Sequence, residues 1–259
     1  MLNYSFSYQD FEIFLLILMR VASFVFIAPF FSMSNTPRHI RVGLSIFITI
    51  ILYGIIPHDP IPYEGLLGYS FLVLKEVLTG LIIGLGANLC MMIVNFAGHI
   101  ADMETGLSMV TLIDPNTRDS VTITGVYYNY MMLLILMISG MHRYLISALV
   151  ETYQLIPING QAFHVNKLMS AILEFLGDYI VIGFRICLPI FATMILLNAI
   201  LGILAKVSPQ MNMFAVGIQI KVFTGLGILF LTVAMLPDAT AFVFEQMKHM
   251  IVLMVEAMS

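Results

Sequence analysis

The chain has 259 residues, of which 60% are hydrophobic and 10% are charged, and its mean hydropathy is +1.00. A soluble domain of this size carries roughly 25% charged residues, so the composition excludes that class and predicts a protein of the bilayer or of a large apolar assembly. The formal net charge is -4 and no Lys/Arg cluster is present, which argues against a nucleic-acid partner.

Hydrophobic segments that could cross a membrane recur along the chain. A helix needs roughly 20 apolar residues to cross about 30 Å of hydrocarbon. In chain order, the candidates are residues 11–31, 42–57, 69–97, 121–140, 179–205 and 213–236. A shorter amphipathic segment, residues 239–258, follows them. Pro and Gly residues lie at several of the boundaries between segments. The pattern predicts an all-α integral membrane protein with about six hydrophobic segments in a single domain, residues 1–259.

Ionisable residues interrupt three of these candidates. Arg20 lies in the first, Lys75 and Glu76 lie in the third, and the fifth contains Arg185 with Asp178 at its start. A charge at mid-membrane costs ~2.5 to 3.5 kcal/mol on insertion scales, so we expect buried charges that face protein or water. Structural alternatives stay open. Lys75 and Glu76 could lie at a helix entrance, Arg185 could pair with Asp178, and Arg20 could snorkel.

Small residues predict close helix neighbours. Gly80 and Gly84 form a GxxxG pattern in "LTGLIIGLGANL", and Gly225 and Gly227 leave a similar groove in "FTGLGILF". Such patterns also arise by chance in apolar helices that contain glycine, so the sequence leaves their role in packing open.

Catalytic signatures are missing from the sequence. No HExxH, GxSxG or Walker A pattern occurs, so we expect neither an enzyme nor a cofactor. Cys90 and Cys187 lie far apart in apolar stretches and are interpreted as small core residues. His99, Asp102 and Glu104 are close enough to suggest a metal site, but without a matching partner cluster a solvated helix end is the better interpretation.

The stretch "GLSMVTLIDPNTRDSVTITG", residues 106–125, predicts an extended lobe or hairpin. It carries β-branched residues on both sides of an Asp-Pro-Asn-Thr turn. Connections longer than about 12 to 15 residues are usually functional or disordered, and the Val, Leu and Ile content argues against disorder. At membrane depth such a segment must line or block a cavity, because lipid cannot satisfy its backbone. A loop packed over the helix ends outside the bilayer is the alternative.

Motifs along nearly the whole chain resemble one family. They are "LLILMRVASFVFIAPFFS", "TPRHIRVGLS", "LKEVLTGLIIGLGANL", "DMETGLSMVTLIDPNT", "SGMHRYLISALVETYQLIP" and "LGILAKVSPQMNMFAVGIQIKVFTGLGIL". Their order and spacing are similar to the FliR family of flagellar biosynthesis proteins, the counterpart of the T subunit in virulence-type type III secretion. The "LIDPNT" and "SPQMN" segments are the most diagnostic.

The resemblance implies a subunit of a protein export gate. In that family, one FliR-type subunit joins FliP- and FliQ-type membrane proteins in a cone-like gate of the inner membrane, at the centre of the flagellar basal body. Its helices form bent hairpins wound into the gate. Unfolded flagellar subunits are the implied cargo, and an FlhB-type switch protein is a further implied partner beside membrane lipid.

The resemblance also implies a channel plug. By position, the family's plug loop corresponds to residues 106–122. The residues concerned are Gly106, Thr111, Ile113, Asp114, Pro115, Asn116 and Thr117. Arg118 and Asp119 follow the turn at positions where family members differ.

A second irregular stretch separates the last two hydrophobic candidates. We interpret Ser208, Pro209, Gln210 and Asn212 as the hinge of a helical hairpin, whose backbone is satisfied by neighbouring subunits or water. Phe214 and Gly217 would then seat the returning helix against a partner.

A multi-pass transporter of ions or small molecules is the alternative function. It would use charged residues within the membrane as a substrate or proton path. An inverted repeat would favour it, and the sequence shows none.

Overall fold

The computed structural model describes residues 8–33, 36–56, 62–63, 65–109, 112–113, 120–208, 210 and 213–259. Eight α-helices lie in these residues: α1 (Tyr8–Ile27), α2 (Arg38–Tyr53), α3 (Gly65–Thr105), α4 (Ile123–Ile138), α5 (His142–Leu155), α6 (Val165–Val207), α7 (Met213–Thr232) and α8 (Leu236–Glu256). Two 3-10 helices are Leu107–Met109 and Val233–Met235. Two short strands, β1 (Leu112–Ile113) and β2 (Ser120–Val121), pair antiparallel. The predicted all-α membrane class is confirmed, with one minimal hairpin added.

Two helices extend well past their predicted bounds. α3 has 41 residues and α6 has 43. At about 1.5 Å per residue each is roughly 60 Å long, about twice the thickness of the hydrocarbon layer. The apolar runs from which the bounds were predicted are shorter than the helices, since Asp102 near the end of α3 and Lys167 near the start of α6 are also helical.

α5 was not among the predicted hydrophobic segments. Its buried side chains are Leu145, Ala148, Leu149, Thr152 and Tyr153. Their spacing of three and four residues is the stripe of an amphipathic helix. The stripe was present in the sequence, but polar residues between its members keep the segment below the hydrophobicity of a membrane span.

Fewer helices meet the length and composition of a membrane span than there are hydrophobic segments. Among the described residues, three do so: Gly65–Thr105, Val165–Val207 and Ala215–Glu256. The pair α4 and α5, interrupted at residues 139–141, adds a fourth if it acts as one span. α2 has only 16 residues, fewer than the roughly 20 that a span needs.

Hydroxyl groups within these apolar helices are satisfied locally. Ser45 Oγ donates to the Arg41 carbonyl at 2.8 Å, Thr79 Oγ1 to the Lys75 carbonyl at 2.9 Å, and Thr193 Oγ1 to the Pro189 carbonyl at 2.6 Å. Each bond runs to the carbonyl four residues earlier, so the hydroxyl needs no water.

Two tyrosines connect the start of α3 to α1. The Tyr63 hydroxyl donates to Glu12 Oε1 at 2.5 Å, and the Tyr69 hydroxyl donates to the Glu12 carbonyl at 3.2 Å. The hydrogen bond to the carboxylate raises the pKa of Tyr63 to about 12, so this phenol keeps its proton at physiological pH.

The chain divides into two compact units. The first comprises Met1–Leu89, Gly140–Glu174 and Met247–Ser259, and the second comprises Cys90–Ser139 and Phe175–Gln246. Core side chains of the first unit include Leu16, Ile17, Phe24, Ile83, Leu145 and Leu149. Core side chains of the second include Ile93, Val94, Tyr128, Met132, Ile190 and Met194. α3, α6 and α8 each contribute residues to both units.

Candidate functional site

The connection between α3 and α4 is the candidate functional site, and its backbone forms a hairpin. Gly106 follows the last residue of α3 with φ of +83°, a left-handed conformation that favours glycine. The strands then pair Leu112 with Val121 and Ile113 with Ser120. The hairpin predicted for this stretch is therefore confirmed.

The structure describes only part of the predicted plug. Gly106 and the backbone of Ile113 are described. Thr111, Asp114, Pro115, Asn116 and Thr117 lie outside the described residues, as do Arg118 and Asp119. The described geometry of the candidate site is therefore that of its two stems, which are the C-terminal end of α3 and the N-terminal end of α4.

Asp102 joins the two stems of the connection. Its carboxylate is fully buried, Oδ2 accepts a hydrogen bond from the Thr124 amide at 2.8 Å, and Oδ1 accepts one from the Thr124 hydroxyl. Thr122, at the N-cap of α4, makes no capping bond with its own side chain. Asp102 on α3 therefore supplies the acceptor that an N-cap side chain would supply.

The interpretation of Asp102 as part of a solvated helix end was wrong. α4 packs over that part of α3 and removes the carboxylate from water. The polar residues around Asp102 in the sequence do not indicate this packing. No group of three or more His, Cys, Asp or Glu side chains that could hold a metal occurs in the described part of the chain.

α3 and α4 touch backbone to backbone one turn before Asp102. A Cβ atom added to Gly98 would lie 2.3 Å from the Gly125 Cα atom and 2.4 Å from its amide nitrogen. No side chain larger than hydrogen fits at Gly98 unless the helices move apart. This pair was not predicted, although a glycine and a carboxylate four residues apart, just before a long connection, could have indicated it.

The second irregular stretch separates α6 from α7. The Ser208 amide donates to the Leu204 carbonyl at 2.8 Å, which extends the last turn of α6, and Gln210 is exposed in a turn. Gly217 on α7 is buried, and a Cβ atom there would lie 3.7 Å from Leu201 Cδ1 on α6. Pro209, Asn212 and the side chain of Phe214 lie outside the described residues.

Two of the predicted buried charges form an ion pair within the first unit. Arg20 and Glu76 expose 0% and 1% of their side chains. Arg20 Nε lies 2.5 Å from Glu76 Oε2, and Nη2 lies 3.1 Å from Oε1. This is the two-point geometry in which guanidinium binds carboxylate best. Arg20 does not snorkel, and Glu76 lies well inside α3 and not at its entrance.

The remaining polar atoms of the pair are also bonded. Arg20 Nη1 donates to the Ile156 carbonyl at 2.9 Å and to the Thr152 carbonyl at 3.4 Å, at the C-terminus of α5. The Thr152 carbonyl also accepts the Ile156 amide at 2.8 Å. Gln161 Nε2 donates to Glu76 Oε1 at 2.6 Å. The Arg20 guanidinium carbon lies 4.2 Å from the centre of the Tyr153 ring. The Arg20 cluster, defined by these residues, connects α1, α3, α5 and the segment after α5.

The other three charges are less enclosed. Asp178 does not pair with Arg185, because two helical turns of about 5.4 Å each separate them. Asp178 Oδ2 accepts from Gln246 Nε2 at 2.6 Å, and exposed Arg185 lies 4.5 Å from the Phe242 ring. Half-buried Lys75 donates to Asn159 Oδ1 at 3.3 Å.

Gly80 and Gly84 line the contact of α3 with α1. A Cβ atom at Gly80 would lie 2.2 Å from the Arg20 carbonyl oxygen, and one at Gly84 would lie 3.2 Å from the Phe24 carbonyl oxygen. The GxxxG pattern thus places the α3 backbone against α1 beside the ion pair.

Comparison with known proteins gives consistent matches. The family of bacterial export proteins, family 1, matches residues 11–247. The flagellar biosynthetic protein FliR of Bacillus subtilis strain 168 is 31% identical over 215 residues, which cover 82% of each chain. The FliR protein of Escherichia coli K12 is 26% identical over 82% of this chain and 80% of its own. The FliR protein of Buchnera aphidicola subsp. Baizongia pistaciae is 23% identical over 96% and 97%.

Proposed function

Because the chain belongs to the bacterial export proteins of family 1, we propose that it is a core subunit of the flagellar type III protein export gate. In this proposal it lies in the inner membrane at the flagellar basal body. With FliP- and FliQ-type subunits it forms the channel for unfolded flagellar proteins, and an FlhB-type protein contacts the assembly. The relatives are named for flagellar biosynthesis and not for a catalysed reaction, which supports a conduit.

The α3–α4 hairpin is the proposed plug, and its geometry is the observation that carries the proposal. The strands close the hairpin on itself, and both of its stems are fixed by Asp102 and by the Gly98–Gly125 contact. An irregular segment of this kind at membrane depth must be enclosed by protein or line a wet cavity. A hairpin with fixed stems can block a conduit when closed and can move aside without unfolding α3 or α4.

Exposed apolar side chains support an assembly with sister subunits. On α6 and α7 they include Leu188, Ile195, Leu196, Ile200, Phe223 and Phe230. In the proposed gate, FliP- and FliQ-type helices and lipid cover these faces. The stretch from Ser208 to Asn212 then acts as the hinge between α6 and α7, and Phe214 and Gly217 seat the returning helix.

Removal of the hairpin tests the plug. Deleting residues 111–121 from the chain in an assembled gate should make membranes leaky to small ions, since nothing then fills the closed conduit. The measurement is ion flux through vesicles that carry the purified complex. A chain in which a Gly/Ser linker of equal length replaces residues 111–121 is the control for loop length and should leak as well. Membranes that stay as tight as wild type, with the complex assembled at normal yield, would contradict the plug.

A further inference from the structure

A cavity within the second unit is lined by two charges of opposite sign. α4, α6 and the junction of α7 with α8 surround about 290 Å³, near the lower end of the roughly 300 to 1,000 Å³ of small-molecule sites. The lining includes Tyr128, Arg185, Thr232, Asp238 and Phe242. We propose that this cavity binds the headgroup of phosphatidylethanolamine, with the phosphate on Arg185 and the ammonium on Asp238. The site goes beyond the proposed function, since it requires only that the chain lies in a bilayer.

Arg185 presents its guanidinium group to this cavity without an anionic partner. The side chain is exposed, and its guanidinium carbon lies 4.5 Å from the centre of the Phe242 ring. It makes no ion pair and no hydrogen bond with the residues that the structure describes. An aromatic face holds a guanidinium group by its plane and leaves the N–H groups at its edge free. Those N–H groups match the oxygens of a phosphate, which guanidinium binds at two points.

Asp238 brings the opposite charge to the same cavity. It lies in the first turn of α8, its side chain is exposed, and it too makes no ion pair or hydrogen bond within the described part of the chain. In a bilayer, each of these two charges requires a counter-charge. A zwitterionic ligand supplies both counter-charges, whereas a purely anionic one leaves Asp238 unpaired beside it.

Arg185 marks one end of an uncharged stretch that is as long as the hydrocarbon layer is thick. Residues 186–205 of α6 contain no Asp, Glu, Lys or Arg, and Arg185 and Lys206 flank them. These 20 helical residues rise about 30 Å, the thickness of the hydrocarbon layer. Arg185 therefore lies at the depth of the lipid headgroups when this stretch crosses the bilayer.

The neighbouring helices place Asp238 at the same depth. Residues 222–237 of α7 and α8 are also uncharged, and Asp238 follows them directly. A Cβ atom at Gly225 would lie 3.3 Å from Met194 Cε on α6, so the two uncharged stretches pack side by side. The cavity therefore opens at one edge of a shared apolar layer.

The surface of this layer suits the acyl chains of the same lipid. Exposed apolar side chains continue from the cavity along α6 and α7, and they include Leu188, Leu196, Phe223, Phe230 and Met235. A lipid with its headgroup in the cavity would lay its acyl chains on this surface and remove apolar area from water. Free phosphoethanolamine lacks those chains, so the bound species is a membrane lipid and not a soluble phosphate.

Lipid titration of the complex tests the choice of headgroup. The complex is purified from its own membranes with its sister subunits and stripped of lipid in detergent. Native mass spectrometry then counts bound phosphatidylethanolamine, phosphatidylcholine and phosphatidylglycerol with identical acyl chains. Phosphatidylethanolamine should bind most tightly, because it alone offers both a phosphate and ammonium N–H donors. Equal affinity for the three lipids would overturn the inference.

Substitutions of the two charges locate the binding. Arg185→Gln should weaken the binding of phosphatidylethanolamine about tenfold or more, because a charge-assisted contact is lost. Asp238→Asn should instead reduce the preference for phosphatidylethanolamine over phosphatidylglycerol. Lys206→Gln is the matched control, since Lys206 is an exposed cation at the other end of the same stretch and does not line the cavity. A loss with Lys206→Gln as large as that with Arg185→Gln would show a general effect of charge and contradict the site.

A photo-crosslinking side chain distinguishes a lipid from a sister subunit as the occupant. The variant Met235→p-benzoylphenylalanine carries the probe on the cavity wall, at a position that is exposed in this chain. Irradiation of native membranes should attach phosphatidylethanolamine to this chain, and mass spectrometry identifies the adduct. The adduct should disappear when Arg185→Gln is added and persist when Lys206→Gln is added. A crosslink to another protein subunit in place of the lipid would overturn the inference and leave the export function untouched.

Discussion

Arg20 and Glu76 show how this chain keeps charge inside an apolar protein. Their two-point contact is fully buried, and neighbouring carbonyls and Gln161 occupy the remaining donors and acceptors. Removing charges from water is costly, so such a pair is tolerated only when its geometry and hydrogen bonds are good. The pair connects α1, α3 and α5 through these contacts.

Breaking this pair should be worse than removing it. Arg20→Met alone leaves Glu76 charged and buried, so we expect a loss of roughly 3 to 5 kcal/mol in unfolding free energy. The double variant Arg20→Met with Glu76→Leu removes both charges and should recover most of that loss. Thermal unfolding of the detergent-purified complex measures both. Equal losses for the single and double variants would show that packing, and not the uncompensated charge, dominates.

The sequence predicted that Arg20 and Glu76 must be shielded from lipid, but it did not predict which groups shield them. Arg20 in an apolar run indicates that protein or water must face it, whatever the fold. Its partner lies 56 positions away, and only the contact of α1 with α3 brings the two together. Asp102 was misread for the same reason, because its burial depends on α4 and not on its neighbours in sequence.

α1 and α3 approach closely because two glycines on α3 lack side chains. At Gly80, a Cβ atom would meet both Ser23 Oγ at 2.1 Å and the Arg20 carbonyl oxygen at 2.2 Å. Ser23 Oγ could rotate away, but the Arg20 carbonyl is helix backbone. The helices would therefore have to separate, and the Arg20 cluster would be strained with them.

Gly80→Ala should destabilise the protein by ~1 to 3 kcal/mol, the usual cost of overpacking. Gly227→Ala is the matched control, since Gly227 also lies within a helix but a Cβ atom there meets nothing within 4 Å. There the better helix propensity of alanine favours a neutral or slightly stabilising effect. Melting temperatures of the two purified variants decide the matter, and an equal drop in both would contradict the proposed α1–α3 contact.

How well each element could be predicted depended on the pattern of apolar residues in its own sequence. Each of the six hydrophobic segments is mainly helical in the residues that the structure describes, because apolar runs of that length have few other structures available. α5 escaped detection because its apolar residues form a stripe and not a run. The hairpin between α3 and α4 was predicted correctly from its β-branched flanks and its turn. The contacts of Asp102 with Thr124 and of Gly98 with Gly125 at its base were not predicted, since they form between two helices.

The whole molecule carries more apolar surface than one chain can bury. Three helices, or four with the α4–α5 pair, have the length and composition of a span, and many of their large side chains are exposed. Arg185 is exposed on one of these helices, with its guanidinium carbon 4.5 Å from the centre of the Phe242 ring. The proposed gate accounts for such polar interruptions, because in it sister subunits and lipid cover them.

Native mass spectrometry of the tagged chain, extracted from its own membranes in mild detergent, tests this dependence on sister subunits. We predict one copy of the chain in a fixed ratio with two other small membrane proteins, of the FliP and FliQ type, and no stable protein when the chain is expressed alone. A monodisperse, thermally stable monomer, with residues 106–122 and 208–212 both reached by water-soluble reagents outside the bilayer, would contradict the account.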